Sequence, residues 1–294
     1  MTDESPSNVV GRAREVELLV AALDSGAHVL LEGPPGTGKT TLLRSVAAEE
    51  KTDFVFVEGN AELTPARLVG HFDPALVLER GYGPETFVDG PLAEALRAGA
   101  LLYVEETNRI PEETLNVLIT VMSEGELTVP RYGRIVAAEG FRLVAAMNPF
   151  DAVGTARISS AIYDRVCRIT MGYQDAVDER AILDLRAPGV PGEWGAKVVD
   201  LVRRTREHPE IRVGSSVRGA IDMARLCGAL ARRRGVDVED WTVGLDAALV
   251  ALSGRIRLAE SIGRAPEDVV RELYVAVFGA EPREDSGGDD PGGA

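Results

Sequence analysis

The sequence predicts a two-part protein, with an α/β domain built on a mainly parallel sheet followed by a small all-helical domain. Three observations lead to this prediction. Short apolar runs of strand length alternate with helical patterns up to about residue 172. A glycine-rich turn joins the first apolar run to a helix, which is typical of parallel α/β units. Beyond residue 172 strand-like runs nearly vanish, and apolar residues recur at helical spacing.

The elements of the first part follow one another in a regular order. Helical spacing predicts a helix over residues 15–23, and further helices begin after the glycine-rich turn, at Pro91 and at Pro111. Residues 71–89 and 126–136 contain glycine and proline around short apolar alternations, and they predict two inserted hairpins. Strands are expected at residues 28–32, 54–59, 100–106, 141–148 and 166–171. Several of these segments are continuous apolar runs, which are typical of a sheet that is buried on both faces.

The two predicted domains occupy residues 9–172 and 173–280. The ends, residues 1–8 and 281–294, lack an apolar pattern and are expected to be disordered. Helices of the second domain are expected at residues 178–185, 197–207, 216–234, 243–258 and 266–279.

Composition excludes several classes of protein. The chain has 294 residues and a net charge of −15, which argues against a general nucleic-acid binder because phosphate contacts need a basic surface. No apolar run is long enough to span a membrane, and the acidic N-terminus is unlike a secretory signal. Cys167 and Cys227 lie outside any metal-binding pattern and are expected to be reduced core residues of a cytoplasmic protein. The three histidines, His28, His71 and His208, are too scattered for a metal site.

A phosphate-binding motif is the strongest chemical signal. Residues 33–40 read GPPGTGKT and match G-x-x-x-x-G-K-[ST], between a predicted strand and a predicted helix. Glycines let backbone N–H groups turn toward phosphate oxygens, and the helix N-terminus adds a positive partial charge. Lys39 would reach the β- and γ-phosphates, and the Thr40 hydroxyl would bind Mg²⁺.

Polar residues end two of the predicted strands. Glu105 and Glu106 close the apolar run LLYV, and a carboxylate there can hold Mg²⁺ while its neighbour polarises a water molecule. Asn148 closes the run FRLVAAM and would lie at the same edge of the sheet, where its amide could orient that water. A turn residue before Pro149 is the alternative interpretation of Asn148.

The order of these motifs along residues 9–275 resembles the AAA+ ATPases, and within them the MoxR group. It is also similar to the CbbQ/NirQ/GvpN-type proteins and, more distantly, to the magnesium-chelatase ATPase subunit. The segments that carry the resemblance are VVGRAREVELLVAAL, HVLLEGPPGTGKT, LLYVEETNRIPEETLNVLITVMSEG, LVAAMNP, IYDRV and VGSSVRGAI.

The resemblance implies a P-loop fold of three α/β/α layers, in which residues 73–89 and about 126–140 are inserts, followed by a helical lid. It implies a nucleotide site that comprises Val10, Gly11, Gly33, Pro34, Pro35, Gly36, Thr37, Gly38, Lys39, Thr40 and Thr41. It further implies Mg²⁺ ligands and catalytic groups, namely Thr40 and Glu105 for the metal, Glu106 of Walker B, Asn148 of sensor 1, the arginine finger Arg165 and Arg218 of sensor 2.

Two of these assignments carry a qualification from the sequence itself. The family usually has aspartate where this chain has Glu105. Only three of the 32 basic residues are lysines, so arginines are abundant, and Arg157 and Arg168 are alternatives to Arg165 as the finger.

The predicted function is that of a Mg²⁺-dependent ATPase that works as a homo-oligomeric ring, six subunits by the resemblance. The resemblance also implies a chaperone-like remodelling or cofactor-insertion role with a von Willebrand factor A domain partner. Two alternatives stay open. Glu105 would suit a nucleotide-gated scaffold with weak hydrolysis, and Arg131 and Arg134 in the second hairpin would suit a nucleic-acid motor.

Overall fold

The chain divides into two units, Met1–Tyr173 and Gln174–Ala294. The first unit contains a five-stranded parallel sheet. The computed structural model describes residues 9–149, 160–260 and 263–282, and the following statements concern these residues. Numbered in chain order, the strands of the sheet are β1 (His28–Glu32), β2 (Phe54–Glu58), β5 (Leu101–Glu105), β8 (Arg142–Met147) and β9 (Val166–Thr170). Their order across the sheet is β2-β5-β8-β1-β9, and all neighbours are parallel.

Helices cover both faces of this sheet, as the predicted α/β fold requires. Successive side chains of a strand point to opposite faces, so Leu30 and Leu31 of β1 belong to different cores. One core holds residues of α1 (Ala13–Asp24) and α2 (Lys39–Glu49), and the other holds residues of α5 (Pro91–Ala98), α6 (Glu112–Glu124) and the short helix α3 (Pro65–Val69). The sheet is therefore the middle of three layers.

The two inserts differ from each other. The second is a hairpin, as predicted, with β6 (Glu126–Val129) antiparallel to β7 (Gly133–Val136). The first was predicted as a hairpin over residues 71–89, and this is wrong in detail. Its strands β3 (Gly70–Phe72) and β4 (Phe87–Asp89) pair, but the helix α4 (Pro74–Arg80) lies between them. Asp73 caps that helix, because its carboxylate accepts from the N–H groups of the second and third residues that follow.

The second unit is mainly helical. Its helices are α8 (Ala176–Arg186), α9 (Gly192–Glu207), α10 (Val217–Arg234), α11 (Trp241–Leu252) and α12 (Pro266–Phe278). The prediction of an exclusively helical domain is wrong, because β10 (Ile211–Val213) pairs with β11 (Arg257–Leu258). The helix expected up to residue 258 ends at Leu252, where a single 3₁₀ turn containing Gly254 redirects the chain.

The two cysteines lie in different surroundings, so one expectation is wrong. Cys227 is buried in the core of the second unit, and burial raises the pKa of its thiol to about 12. Cys167 is exposed because β9 is an edge strand whose pattern of burial leaves this position facing outward. Within the described part of the chain, no helix is long and apolar enough to cross a membrane.

The half-buried His28 at the start of β1 predicts a pH dependence of stability. Its Nδ1 accepts a hydrogen bond from the backbone N–H of Leu143 at 3.0 Å, which requires the neutral ring. Burial, together with the nearby charge of Arg142, lowers the pKa of His28 below 6.5. The unfolded chain therefore takes up this proton first, so His28 reduces the free energy of unfolding as the pH falls below about 6.5.

We expect urea denaturation to show a larger loss of stability between pH 7.5 and 5.5 in the wild type than in a His28→Asn variant. Asparagine can offer an acceptor to Leu143 but does not titrate. Parallel pH profiles for the two proteins would contradict this prediction.

Candidate nucleotide-binding site

The predicted site residues of the first unit gather at the carboxyl ends of its parallel strands. The glycine-rich loop follows β1, Glu105 ends β5, and Asn148 follows β8. Since β8 lies between β1 and β5, the segment with Asn148 lies between the loop and the two glutamates. This edge of an open α/β sheet is where such folds bind ligands.

The loop formed by residues 33–40 has a backbone that favours glycine at Gly33, Gly36 and Gly38. A Cβ on Gly33 would lie 2.1 Å from the carbonyl oxygen of Met171, so no larger residue fits there. Gly38 has a φ of +87° and is the N-cap of α2. The loop therefore leads directly into a helix N-terminus, which favours negative charge.

Lys39, the first residue of α2, is held against the loop itself. Its ammonium group donates to the carbonyl oxygens of Gly33 and Pro34 at 2.8 and 2.9 Å, and the residue is only 8% exposed. This arrangement holds the Lys39 ammonium beside the loop whose backbone would surround a phosphate.

Thr40 and Glu105 are in direct contact. The Thr40 hydroxyl donates to Oε1 of Glu105 at 2.8 Å, and Tyr103 Oη lies 3.2 Å from the same hydroxyl oxygen. Burial raises the pKa of Tyr103, and the charge of Glu105 adds to this effect, so the phenol stays protonated at neutral pH. A hydroxyl and a carboxylate at the phosphate end of the loop are the oxygen ligands that suit Mg²⁺.

Glu106 lies at a sharp turn after β5. Its backbone is left-handed, with a φ of +50° and a ψ of 42°, so its side chain leaves the direction set by the strand. The Glu106 carboxylate forms an ion pair with Arg109 Nε at 2.8 Å, and both side chains are more than two fifths exposed. Asn148 is half-buried and follows directly after Met147, the last residue of β8.

Two of the candidate arginine fingers, Arg165 and Arg168, form hydrogen bonds within this chain. Arg165 follows the short helix α7 (Ser160–Tyr163), and it donates to the hydroxyl of Ser123 and to the carbonyl oxygen of Ala161. Arg168 donates to Oε2 of Glu32 at 3.0 Å. Arg157 lies outside the described residues. The partners of Arg165 in these two bonds are neutral, whereas Arg168 pairs with a carboxylate whose side chain is only 9% exposed.

Arg218, the predicted sensor 2 residue, belongs to the second unit. It is the second residue of α10 and its side chain is exposed.

Sequence reasoning missed Arg12, which follows the predicted nucleotide-site residues Val10 and Gly11. Val10 and Gly11 precede it, and Gly11 has a φ of +68°. Arg12 is 6% exposed, and its Nη2 donates to the carbonyl oxygens of Thr37 and Gly172 at 3.0 and 2.6 Å. A buried guanidinium thus fixes the glycine-rich loop. The sequence gives no signal for this role, because arginine is frequent throughout the chain.

Comparisons with known proteins agree with this geometry. Residues 28–166 match the AAA domain family of the dynein-related subfamily. The uncharacterised protein YeaC of Bacillus subtilis is 28% identical over 92% of this chain and 90% of its own length. The gas vesicle ATPase GvpN of Haloferax mediterranei is 30% identical over 66% of this chain, and the match spans only 60% of that relative.

A solved structure supports the fold. A RuvB variant from Thermotoga maritima superposes with a TM-score of 0.56, at 18% identity, over 85% of this chain and 73% of that one. The family match and the named relatives identify the nucleotide-binding domain, and the parallel sheet agrees with them. Residues 28–166 of the chain are therefore similar to AAA domains, and the similarity to the gas vesicle ATPase GvpN supports ATPase activity.

Proposed function

We propose that this protein is a Mg²⁺-dependent ATPase that assembles into a ring and uses ATP hydrolysis to remodel a partner protein. The 2.8 Å contact between Thr40 and Glu105 carries the proposal, because it joins the end of the phosphate loop to the acidic end of β5. Glu105 stands where the family usually has aspartate, and its carboxylate still reaches Thr40, the residue that the family uses at the metal. This contact favours hydrolysis over the alternative of a scaffold with weak hydrolysis.

The phosphate groups of ATP would lie along the backbone of residues 33–40, with Lys39 reaching the β- and γ-phosphates. Val10, Gly11 and Thr41 would complete the nucleotide site. Thr40 and Glu105 would hold Mg²⁺, Glu105 through water. When bound, the metal neutralises charge on the phosphate oxygens.

Glu106 and Asn148 would act on the water that attacks the γ-phosphate. The Glu106 carboxylate would polarise this water, and the Asn148 amide would orient it. The position of Glu106 directly after Glu105, at the left-handed turn that follows β5, supports this role.

A ring would supply a cation from the neighbouring subunit. We assign this role to Arg165, with Arg218 as the sensor of the helical unit. Moving Arg168 away from Glu32 would leave a nearly buried carboxylate uncompensated, which is strongly unfavourable. Arg165 would leave two neutral hydrogen-bond acceptors and an ion pair at 3.9 Å with Asp164, whose carboxylate is exposed to water, so its release toward another subunit is less unfavourable. Six subunits and head-to-tail contacts would close such a ring.

The partner would be a protein with a von Willebrand factor A domain, and the work would be chaperone-like remodelling or cofactor insertion. A nucleic-acid motor is less favoured, because the two arginines that suggested it already have partners within the chain. The Arg131 guanidinium lies 4.1 Å from the centre of the Tyr82 ring, and Arg134 forms an ion pair with Glu126.

The first test separates nucleotide binding from hydrolysis. We expect Glu106→Gln to bind ATP with wild-type affinity but to release phosphate roughly 10²–10⁴-fold more slowly, because the water is no longer polarised. Lys39→Ala should lose ATP binding itself. Fluorescent-nucleotide titration and a phosphate-release assay measure the two quantities. Wild-type protein that binds ATP but turns over as slowly as Glu106→Gln would instead support the scaffold.

The same Glu106→Gln protein tests the partner, because it should stay in the ATP-bound state. Co-expression with a candidate von Willebrand factor A domain protein should give a complex that ATP stabilises and ADP releases. An interaction indifferent to nucleotide would count against the remodelling role.

The second test concerns Arg165. We expect Arg165→Ala to bind ATP normally but to hydrolyse it about 10³-fold more slowly or worse, because the neighbouring subunit receives no cation. Mixing it with the otherwise inactive Lys39→Ala protein should restore activity, since Lys39→Ala subunits still offer Arg165. An Arg165→Ala protein with normal turnover on its own would disprove the assignment, and Arg168→Ala serves as the matched comparison.

A further inference from the structure

The hydroxyl of Tyr103 lies beside the residues proposed to hold Mg²⁺, although nothing in the sequence motifs assigns it a role. Tyr103 is on β5, two residues before Glu105, and it is fully buried. Its ring contacts those of Phe54 and Phe56, with centroids 6.0 and 5.7 Å away. These contacts fix the position of the phenol, and hence of its hydroxyl.

The direction of the hydrogen bonds follows from the number of available protons. A threonine hydroxyl has one proton and two lone pairs. Thr40 gives its proton to Oε1 of Glu105 at 2.8 Å, since a carboxylate can only accept. In the contact between Thr40 and Tyr103, at 3.2 Å, the phenol must therefore be the donor. The three residues form a chain in which Tyr103 donates to Thr40 and Thr40 donates to Glu105.

We propose that Tyr103 is a positioning residue that aims a single lone pair of the Thr40 hydroxyl at Mg²⁺. The Thr40 oxygen has four tetrahedral directions, taken by its Cβ, its own proton, the Tyr103 proton and one remaining lone pair. Without Tyr103 the hydroxyl keeps two free lone pairs, and its orientation depends on Glu105 alone. Mg²⁺ tolerates little deviation from octahedral geometry, so this orientation affects affinity. The inference rests on the proposed function of Thr40 and Glu105.

The same series of hydrogen bonds also affects Glu105, which stands where the family usually has aspartate. Glutamate has one more rotatable bond than aspartate, so its carboxylate is less constrained by the strand. A Thr40 hydroxyl fixed by the buried Tyr103 gives that carboxylate a defined partner. Tyr103 would thus act on the metal site through its contact with Thr40.

The test is Tyr103→Phe, which removes one oxygen and leaves the ring contacts in place. With ADP bound, we expect the affinity for Mn²⁺, measured by electron paramagnetic resonance, to fall about five-fold, the loss of one hydrogen bond. The affinity for ADP in the presence of EDTA should not change. Tyr274→Phe is the matched control, because Tyr274 is also buried and its hydroxyl donates to the carbonyl oxygen of Trp241 at 3.1 Å in the helical unit. It should bind Mn²⁺ like the wild type.

A double-mutant cycle distinguishes positioning from a general structural effect. If Tyr103 acts through Thr40, adding Tyr103→Phe to Thr40→Ala should cause no further loss of Mn²⁺ affinity. An equal five-fold loss in both backgrounds, or an unchanged affinity in Tyr103→Phe alone, would overturn the inference. A wild-type ADP complex that binds no Mn²⁺ would instead overturn the proposed metal site itself.

Discussion

The hydrogen bond between Thr40 and Glu105 joins two elements that are 65 residues apart in the chain. It forms because β1, β8 and β5 are parallel, so that the loop after β1 and the end of β5 reach the same edge of the sheet. The register of the sheet also aligns these ends, because Val104 of β5 pairs with Ala145 of β8, and Ala145 pairs with Leu30 of β1. The ends of β1 and β5, from which the loop and Glu105 extend, are therefore aligned by backbone hydrogen bonds of the sheet.

Arg12 provides a second constraint on the phosphate loop. The buried guanidinium of Arg12 donates to the carbonyl oxygen of Thr37 within the loop and to that of Gly172. Gly172 lies two residues before the second unit begins at Gln174. Charge-assisted hydrogen bonds of a buried guanidinium are stronger than those between neutral groups. Arg12 thus connects the phosphate loop to the segment through which the chain leaves the first unit.

The sequence was sufficient for the features that depend on local patterns. The spacing of residues 33–40 predicted the loop, and continuous apolar runs predicted the five parallel strands. Contacts between distant residues could not be predicted in this way. The bond from Arg12 to Gly172 spans 160 residues, and nothing local distinguishes this arginine from the others.

Errors at the level of single elements have equally physical causes. Exposure of Cys167 depends on β9 being at the edge of the sheet, which only the strand order reveals. The first insert contains a helix because Asp73 and Pro74 form a strong helix start inside what otherwise alternates like a hairpin. The pairing of β10 with β11 depends on the 3₁₀ turn at residues 253–255, and short strands of two or three residues leave little periodic signal.

Glu32 connects the strand before the phosphate loop to the segment that carries Arg165. This nearly buried carboxylate ends β1, directly before the loop, and it accepts hydrogen bonds from Arg168 at 3.0 Å and from Tyr163 at 3.3 Å. Tyr163 and Arg168 flank Arg165 in the sequence, so both sides of that segment are bonded to the strand that leads into the phosphate loop. The Glu32 carboxylate is nearly buried but the Arg168 side chain is more than half exposed, so solvent partly screens this ion pair. The hydrogen bonds of Glu32 thus connect the strand before the phosphate loop to two residues that flank Arg165.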